Sequence, residues 1–174
     1  MTPAIPRPDA SEYASNYAGY VSKVPNGNLI EILEDQRQET QDLLAGLTGG
    51  RAMHRYAPGK WSIKEVVGHV MDAERVFSYR ALRFARGDQT PLPGFDENVY
   101  APAGQFDLRP LPDLAAELSA VRLASIALFA GLDAEAFARR GMASNQDVSV
   151  RALAYIIAGH ERHHVGILRE RYLR

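Results

Sequence analysis

Four stretches of this chain place their apolar residues three and four positions apart, and that spacing constrains the fold more than any other feature of the sequence. On an α-helix it gathers side chains along one face, and a helix apolar on one face must bury that face against another element. The first stretch follows the turn Pro25-Asn26-Gly27. It opens with Asn28 and Glu31 at capping-box spacing and runs to about Leu47, with Gly49-Gly50 beyond. The second opens with a capping box, Ser62-Ile63-Lys64-Glu65, and continues through Val66, Val67, Val70, Ala73 and Phe77 to near Gly87. The third begins around Pro112, whose fixed φ suits a first helical turn, with Asp113 and Glu117 following. It passes through Leu114, Leu118, Val121, Ile126 and Phe129 to Gly131. Ser149 caps the last, from Val150 to about Tyr172. No strand pattern of any length is visible, so the expected fold is all-α, a four-helix bundle.

The connections are unequal. Residues 88–112 are rich in proline and lack a helical period, which predicts an ordered but irregular crossover between the second and third helices. Loops of that length are usually functional or packed across a face. A short polar and alanine-rich stretch reaches Gly141 to Asp147. Prolines at 3, 6 and 8 predict an extended leader over residues 1–10, after which Tyr13, Tyr17 and Tyr20 recur at helical spacing and are expected to pack on the body. At 174 residues the whole chain, 1–174, is expected to form one domain.

Composition removes several functions. The chain has no cysteine, so disulfides, thiolate-bound zinc and a cysteine nucleophile are excluded, and a metal would have to be held by histidine, carboxylate, carbonyl or water. With 20 basic and 21 acidic residues it lacks the electrostatic footprint of a nucleic-acid binder. It has neither a signal-peptide core nor eighteen consecutive apolar residues, so no membrane partner is expected and a soluble cytoplasmic protein follows.

The polar intrusions into the apolar stripes carry the chemistry. His160 and His164 stand four residues apart in Gly159-His160-Glu161-Arg162-His163-His164, a spacing that points two imidazoles at one spot. At about 100° per residue both fall within roughly 20° of the centre of the stripe formed by Leu153, Ile157, Ile167 and Leu168, so they face inward. A single histidine on such a face is usually a hydrogen-bonded core residue. A shared cation, however, satisfies the acceptor nitrogens of both where hydrocarbon satisfies neither. The third candidate is His69, on the flank of the second helix's stripe. His54 lies in a loop before Pro58, and His163 points about 80° from the centre of its helix face.

Three segments carry a family resemblance: Lys60-Trp61-Ser62-Ile63-Lys64-Glu65-Val66-Val67-Gly68-His69, Pro93-Gly94-Phe95-Asp96-Glu97-Asn98, and Ser149-Val150-Arg151-Ala152-Leu153 leading to His160-Glu161-Arg162-His163-His164. From about Tyr13 to Leu173 the chain resembles the DinB-like, or damage-inducible, superfamily of bacterial four-helix metalloproteins, related to bacillithiol S-transferases and mycothiol-dependent enzymes. The resemblance implies one divalent metal ion held by His69, His160 and His164, and a homodimer. It is specific for fold and metal site, much less so for the reaction.

Three neutral histidines leave a dipositive charge uncompensated and coordination positions open, the layout of a catalytic site. One outcome is a water whose pKa is lowered toward about 7, giving a hydrolase; the other is a substrate thiol held ionised, giving a thiol transferase. With no cysteine in the chain, the thiol would come from a small co-substrate such as bacillithiol. Nickel, zinc, iron and copper all accept imidazole. A non-catalytic, stress-related metal- or ligand-binding module is the remaining alternative. Glu74, about 40° from the centre of its helix's apolar face, is the candidate base or ligand-orienting carboxylate, with an ion pair to a neighbouring helix as the alternative. Glu161, about 80° off centre, reads as a solvated charge. Asp96, Glu97, Asn98 and Tyr100 in the crossover are candidates for the mouth of a small-molecule site.

Overall fold

A computed structural model of the chain describes residues 5–174. The helices in chain order are α1 Ala18–Val21, α2 Leu29–Ala45, α3 Gly49–Ala52, α4 Ile63–Ala85, α5 Glu97–Ala103, α6 Leu111–Ala130, α7 Ala134–Ala138 and α8 Val150–Ile167, the last running into a π-helical turn at Leu168–Tyr172. The four long ones are those the apolar spacing predicts. They form a bundle in which α4 packs on α8 and α6, and α2 packs on α6 and α8. Two of the starts follow the expected chemistry closely. The Ser62 hydroxyl accepts from the Glu65 amide while the Glu65 carboxylate accepts from the Ser62 amide, and the Ser149 hydroxyl accepts from the Ala152 amide. At α2 the Asn28 side chain instead accepts from Ile30 N, so the cap is there without the reciprocal box.

The core has two apolar clusters rather than one. Leu29, Leu33, Phe77, Phe84, Phe129, Leu153 and Ile156 belong to the first; Ile63, Val66, Val70, Leu114, Leu118 and Leu168 belong to the second. Each fully buried side chain of this kind contributes about 1.5–3 kcal/mol. Between the clusters every long helix places polar residues: Gln36 and Thr40 on α2, His69 and Glu74 on α4, Arg122 on α6, His160 and Glu161 on α8, all buried. That polar belt contains the candidate site.

Two connections differ from the sequence expectation. Where no strand is expected, the stretch 140–149 is an antiparallel hairpin of β1 Arg140–Ala143 and β2 Gln146–Ser149, turned at Ser144-Asn145 with φ of 53° and 60°. Positive φ at both central residues is the type I′ pattern, but the pair is not the Asn-Gly that advertises it, and four-residue strands are too short to show alternation. The crossover pairs with this hairpin, Leu92 N donating to Met142 O and Ser144 N to Leu92 O. The crossover also contains α5, capped by Asp96, and a 3-10 turn at Phe106–Leu108. With Pro102 inside it and Ala101 its one buried residue, α5 has no stripe to reveal it.

The segment before α2 lies on the body as expected of its tyrosines, though as short turns, Ala10–Glu12 and Ser15–Tyr17 in 3-10 form followed by α1. Of the leader expected over residues 1–10, residues 1–4 lie outside the described residues. Ile5 is buried, and Arg7 donates to Val21 O and Val24 O. Among the described residues no helix is long and apolar enough to cross a membrane.

Candidate metal centre

His69 comes from α4, and His160 and His164 from consecutive turns of α8. Their potential ligand nitrogens all lie within 4.8 Å of one another, and His69 Nε2 is 3.0 Å from His160 Nε2. The neighbours of both helices permit this approach. A Cβ at Gly68 would meet the Phe106 ring at 2.3 Å, and one at Gly159 would meet the Tyr20 carbonyl oxygen at 2.0 Å. Glycine beside each leading histidine therefore lets the crossover and the N-terminal segment close directly over the cluster. Aromatic rings wall it: Trp61 against His69, with Tyr20 and Phe77 against His160.

Burial dominates the electrostatics. It lowers the His69 pKa to about 4, partly opposed by Glu97, and lowers that of His164 to about 3, with His69 and His163 adding to the effect. His160 is pushed well below the ordinary histidine value by burial and by its three histidine neighbours. All three are thus neutral at pH 7, with a lone pair available to a cation. The residues set aside by angle stay aside: His54 is exposed near Tyr172, and His163 packs on Tyr20 outside the trio.

The carboxylates need correction. Glu74 holds Arg122 through both oxygens, from Nε and Nη2 at 2.8 Å each, so the ion-pair alternative is realised and no oxygen is left over for a base. Glu161 is not solvated at all. It is 3% exposed, accepts from Thr40 and Gln36 at 2.8 and 2.9 Å, and pairs with Arg122 Nη1 at 2.8 Å. Burial opposes the charge of Arg122, yet Glu161 and Glu74 together raise its pKa above the ordinary arginine value. Two carboxylates thus share one buried guanidinium, and one of them is the sequence neighbour of His160.

Two clefts reach the histidines. One, of about 250 Å³, is lined by Trp61, Asn98, His164 and Tyr172; the other, of about 340 Å³, by Tyr20, His69, Phe77, Arg80, Glu97 and His160 among others. Glu97 and Asn98 therefore border the site as expected of the crossover. Asp96 instead caps α5, and Tyr100 packs on Phe95. Arg80 was not anticipated, although its place three residues after Phe77 on the buried side of α4 was a signal.

Fold and site together define a helical bundle with a cluster of two buried histidines and one half-buried histidine able to hold a metal ion. The chain belongs to the DinB superfamily, whose family model matches residues 32–168. Its fold is similar to that of YfiT from Bacillus subtilis, at 18% sequence identity over 82% of each chain with a TM-score of 0.72. YfiT is described as "a probable metal-dependent hydrolase with an unusual four-helix bundle topology". No curated protein matches the sequence.

Proposed function

We propose that the chain is an enzyme that holds one divalent metal ion through His69, His160 and His164 and acts on a small molecule by activating a small nucleophile. The observation that carries this reading is the convergence of three neutral imidazoles from two helices, bordered by two clefts. The spacing fits: nitrogens about 2.0–2.1 Å from one ion stand roughly 3.0–3.4 Å apart, and the Nε2 atoms of His69 and His160 are 3.0 Å apart. Such an ion, when bound, supplies a positive charge that favours the ionised form of a nucleophile beside it. The chain's own residues do the rest. The imidazoles keep their lone pairs because burial disfavours protonation, and Trp61, Tyr20 and Phe77 exclude water from one side.

The nucleophile assigned is a small thiol of the bacillithiol type. The buried carboxylates of α4 and α8 are fully engaged with Arg122, and a thiol, with a pKa of about 8.5, ionises near neutrality without a dedicated base. Hydrolysis is the second reading, and Glu97 favours it as the one carboxylate on the cleft that holds His69 and His160, where it can take a proton from water. That reading accords with the description of YfiT. Metal-loaded protein, incubated with a haloarene, should conjugate it faster when a small thiol is added, and His69→Ala should remove the acceleration. Thiol-independent, metal-dependent hydrolysis of an ester or amide, slowed about 10²-fold or more by Glu97→Gln, would move the assignment to a hydrolase. Failure to take up metal would refute both. The homodimer implied by family resemblance is checked by light scattering.

A further inference from the structure

Arg80 is a buried charge that neither the bundle nor the histidine cluster explains. It is 3% exposed, yet among the described residues no carboxylate reaches it. Buried guanidinium groups are ordinarily paired with an anion. Here Nη2 donates to two neutral acceptors, the Pro93 carbonyl and the Ser144 hydroxyl, each at 2.9 Å. The Tyr17 side chain, on the wall of the same cleft, is the further hydrogen-bonding neighbour of Arg80, so no carboxylate is among its partners. Arg80 itself lines the cleft, so its charge faces that space. Phe77 and Phe95 flank the guanidinium with ring centroids at 5.8 and 5.9 Å, which restricts it.

The same cleft holds His69 and His160, and its walls include Tyr17, Tyr20, Phe77 and Phe95. About 340 Å³ is the size of a site for a small molecule. We infer that Arg80 is the anion anchor of this cleft, and that the substrate is a small carboxylate with an apolar, flat body lying on the aromatic walls, its reacting end toward the histidines. The inference rests on the proposed reading of the cleft as the substrate site. A guanidinium on a cleft wall without a carboxylate partner matches a carboxylate ligand in geometry as well as charge. Glu97, of opposite sign on the same cleft, is exposed and screened by water, whereas Arg80 acts from a low-dielectric position.

Isothermal calorimetry on the metal-free full chain, with phenylacetate and its neutral isostere phenylacetamide, tests the anchor without any metal to bind the carboxylate. The wild-type chain should bind the acid at least about tenfold more tightly than the amide. Arg80→Gln should reduce that preference to about twofold or less, and Arg80→Lys should fall between, since an ammonium keeps the charge and loses the fork. Because Arg80 also braces Pro93 and Ser144, the wild-type comparison of acid with amide stands by itself if the glutamine variant does not fold. Equal binding of the two probes, no saturable binding of the acid, or a preference that persists in folded Arg80→Gln would overturn the inference. Metal uptake is measured separately by elemental analysis: a wild-type chain that takes up no metal but prefers the acid would refute the histidine reading and leave this one standing.

Discussion

Two polar groups sit side by side in the belt between the apolar clusters, and they are built on opposite principles. Around Arg122 every carboxylate oxygen of Glu74 and Glu161 accepts a hydrogen bond, and Gln36 and Thr40 close the remaining side. Around His69, His160 and His164 the one polar contact among the described residues is between the first two, and both clefts open there. A saturated buried network has nothing left to offer a ligand and acts on the fold. An unsaturated one, held open by glycines and aromatic rings, costs stability that packing elsewhere offsets, and such sites are where function resides.

The largest effect that sharpens this contrast is expected from Arg122→Met. It strands two buried carboxylates and should cost about 3–5 kcal/mol in urea denaturation, while any folded fraction keeps its metal. A loss below about 1 kcal/mol would mean that the network is not saturated in solution. Next come His160→Ala and His164→Ala, which should abolish stoichiometric metal by elemental analysis while destabilising metal-free protein by no more than about 1–2 kcal/mol. A full equivalent of metal in both variants would erase the distinction between the clusters.

Acid tests the histidine cluster directly. The folded pKa values of the histidines lie below their unfolded value of about 6.5, so the unfolded chain takes up protons first. The stability of metal-free protein should then be full above that pH and fall as the pH drops from about 6.5 toward about 4, the folded value of His69. Each histidine contributes a slope of up to about 1.4 kcal/mol per pH unit, visible as a falling urea midpoint, and the slope should shrink in His69→Ala. An unchanged slope there would place the titration elsewhere. The smallest effect is expected from His163→Ala, which should keep the metal, and from chelation, which should leave the circular dichroism spectrum of the bundle nearly intact. Collapse of helicity on chelation would make the ion structural.

The sequence exposed the histidines because an i, i+4 pair on an apolar face is rare and each helix announces its own inner side. It hid the Arg122 network because the width of a buried face is set by the neighbours. Glu161 lies off the centre of the α8 stripe, but α2 and α6 cover that flank with Gln36, Thr40 and Arg122. Those residues interrupt the apolar stripes of their own helices, a signal that becomes readable only when the helices are aligned side by side. The hairpin and α5 were illegible for a different reason: each is too short to establish a period, and each is placed by contacts with α4.

Glu12 receives hydrogen bonds from Ser149 and Arg151, and the Tyr20 carbonyl rests on Gly159, so the wall over His160 is made from residues translated long before it. Ser149 follows Glu12 by 137 positions, a delay of roughly 7–27 s at about 5–20 residues per second. During that interval the early segment lacks α8, its main docking surface, while α2, α4 and α6 can already associate. Completion of the histidine site is therefore a late event in the life of the nascent chain, and any ion it holds is acquired from the pool surrounding a nearly finished bundle.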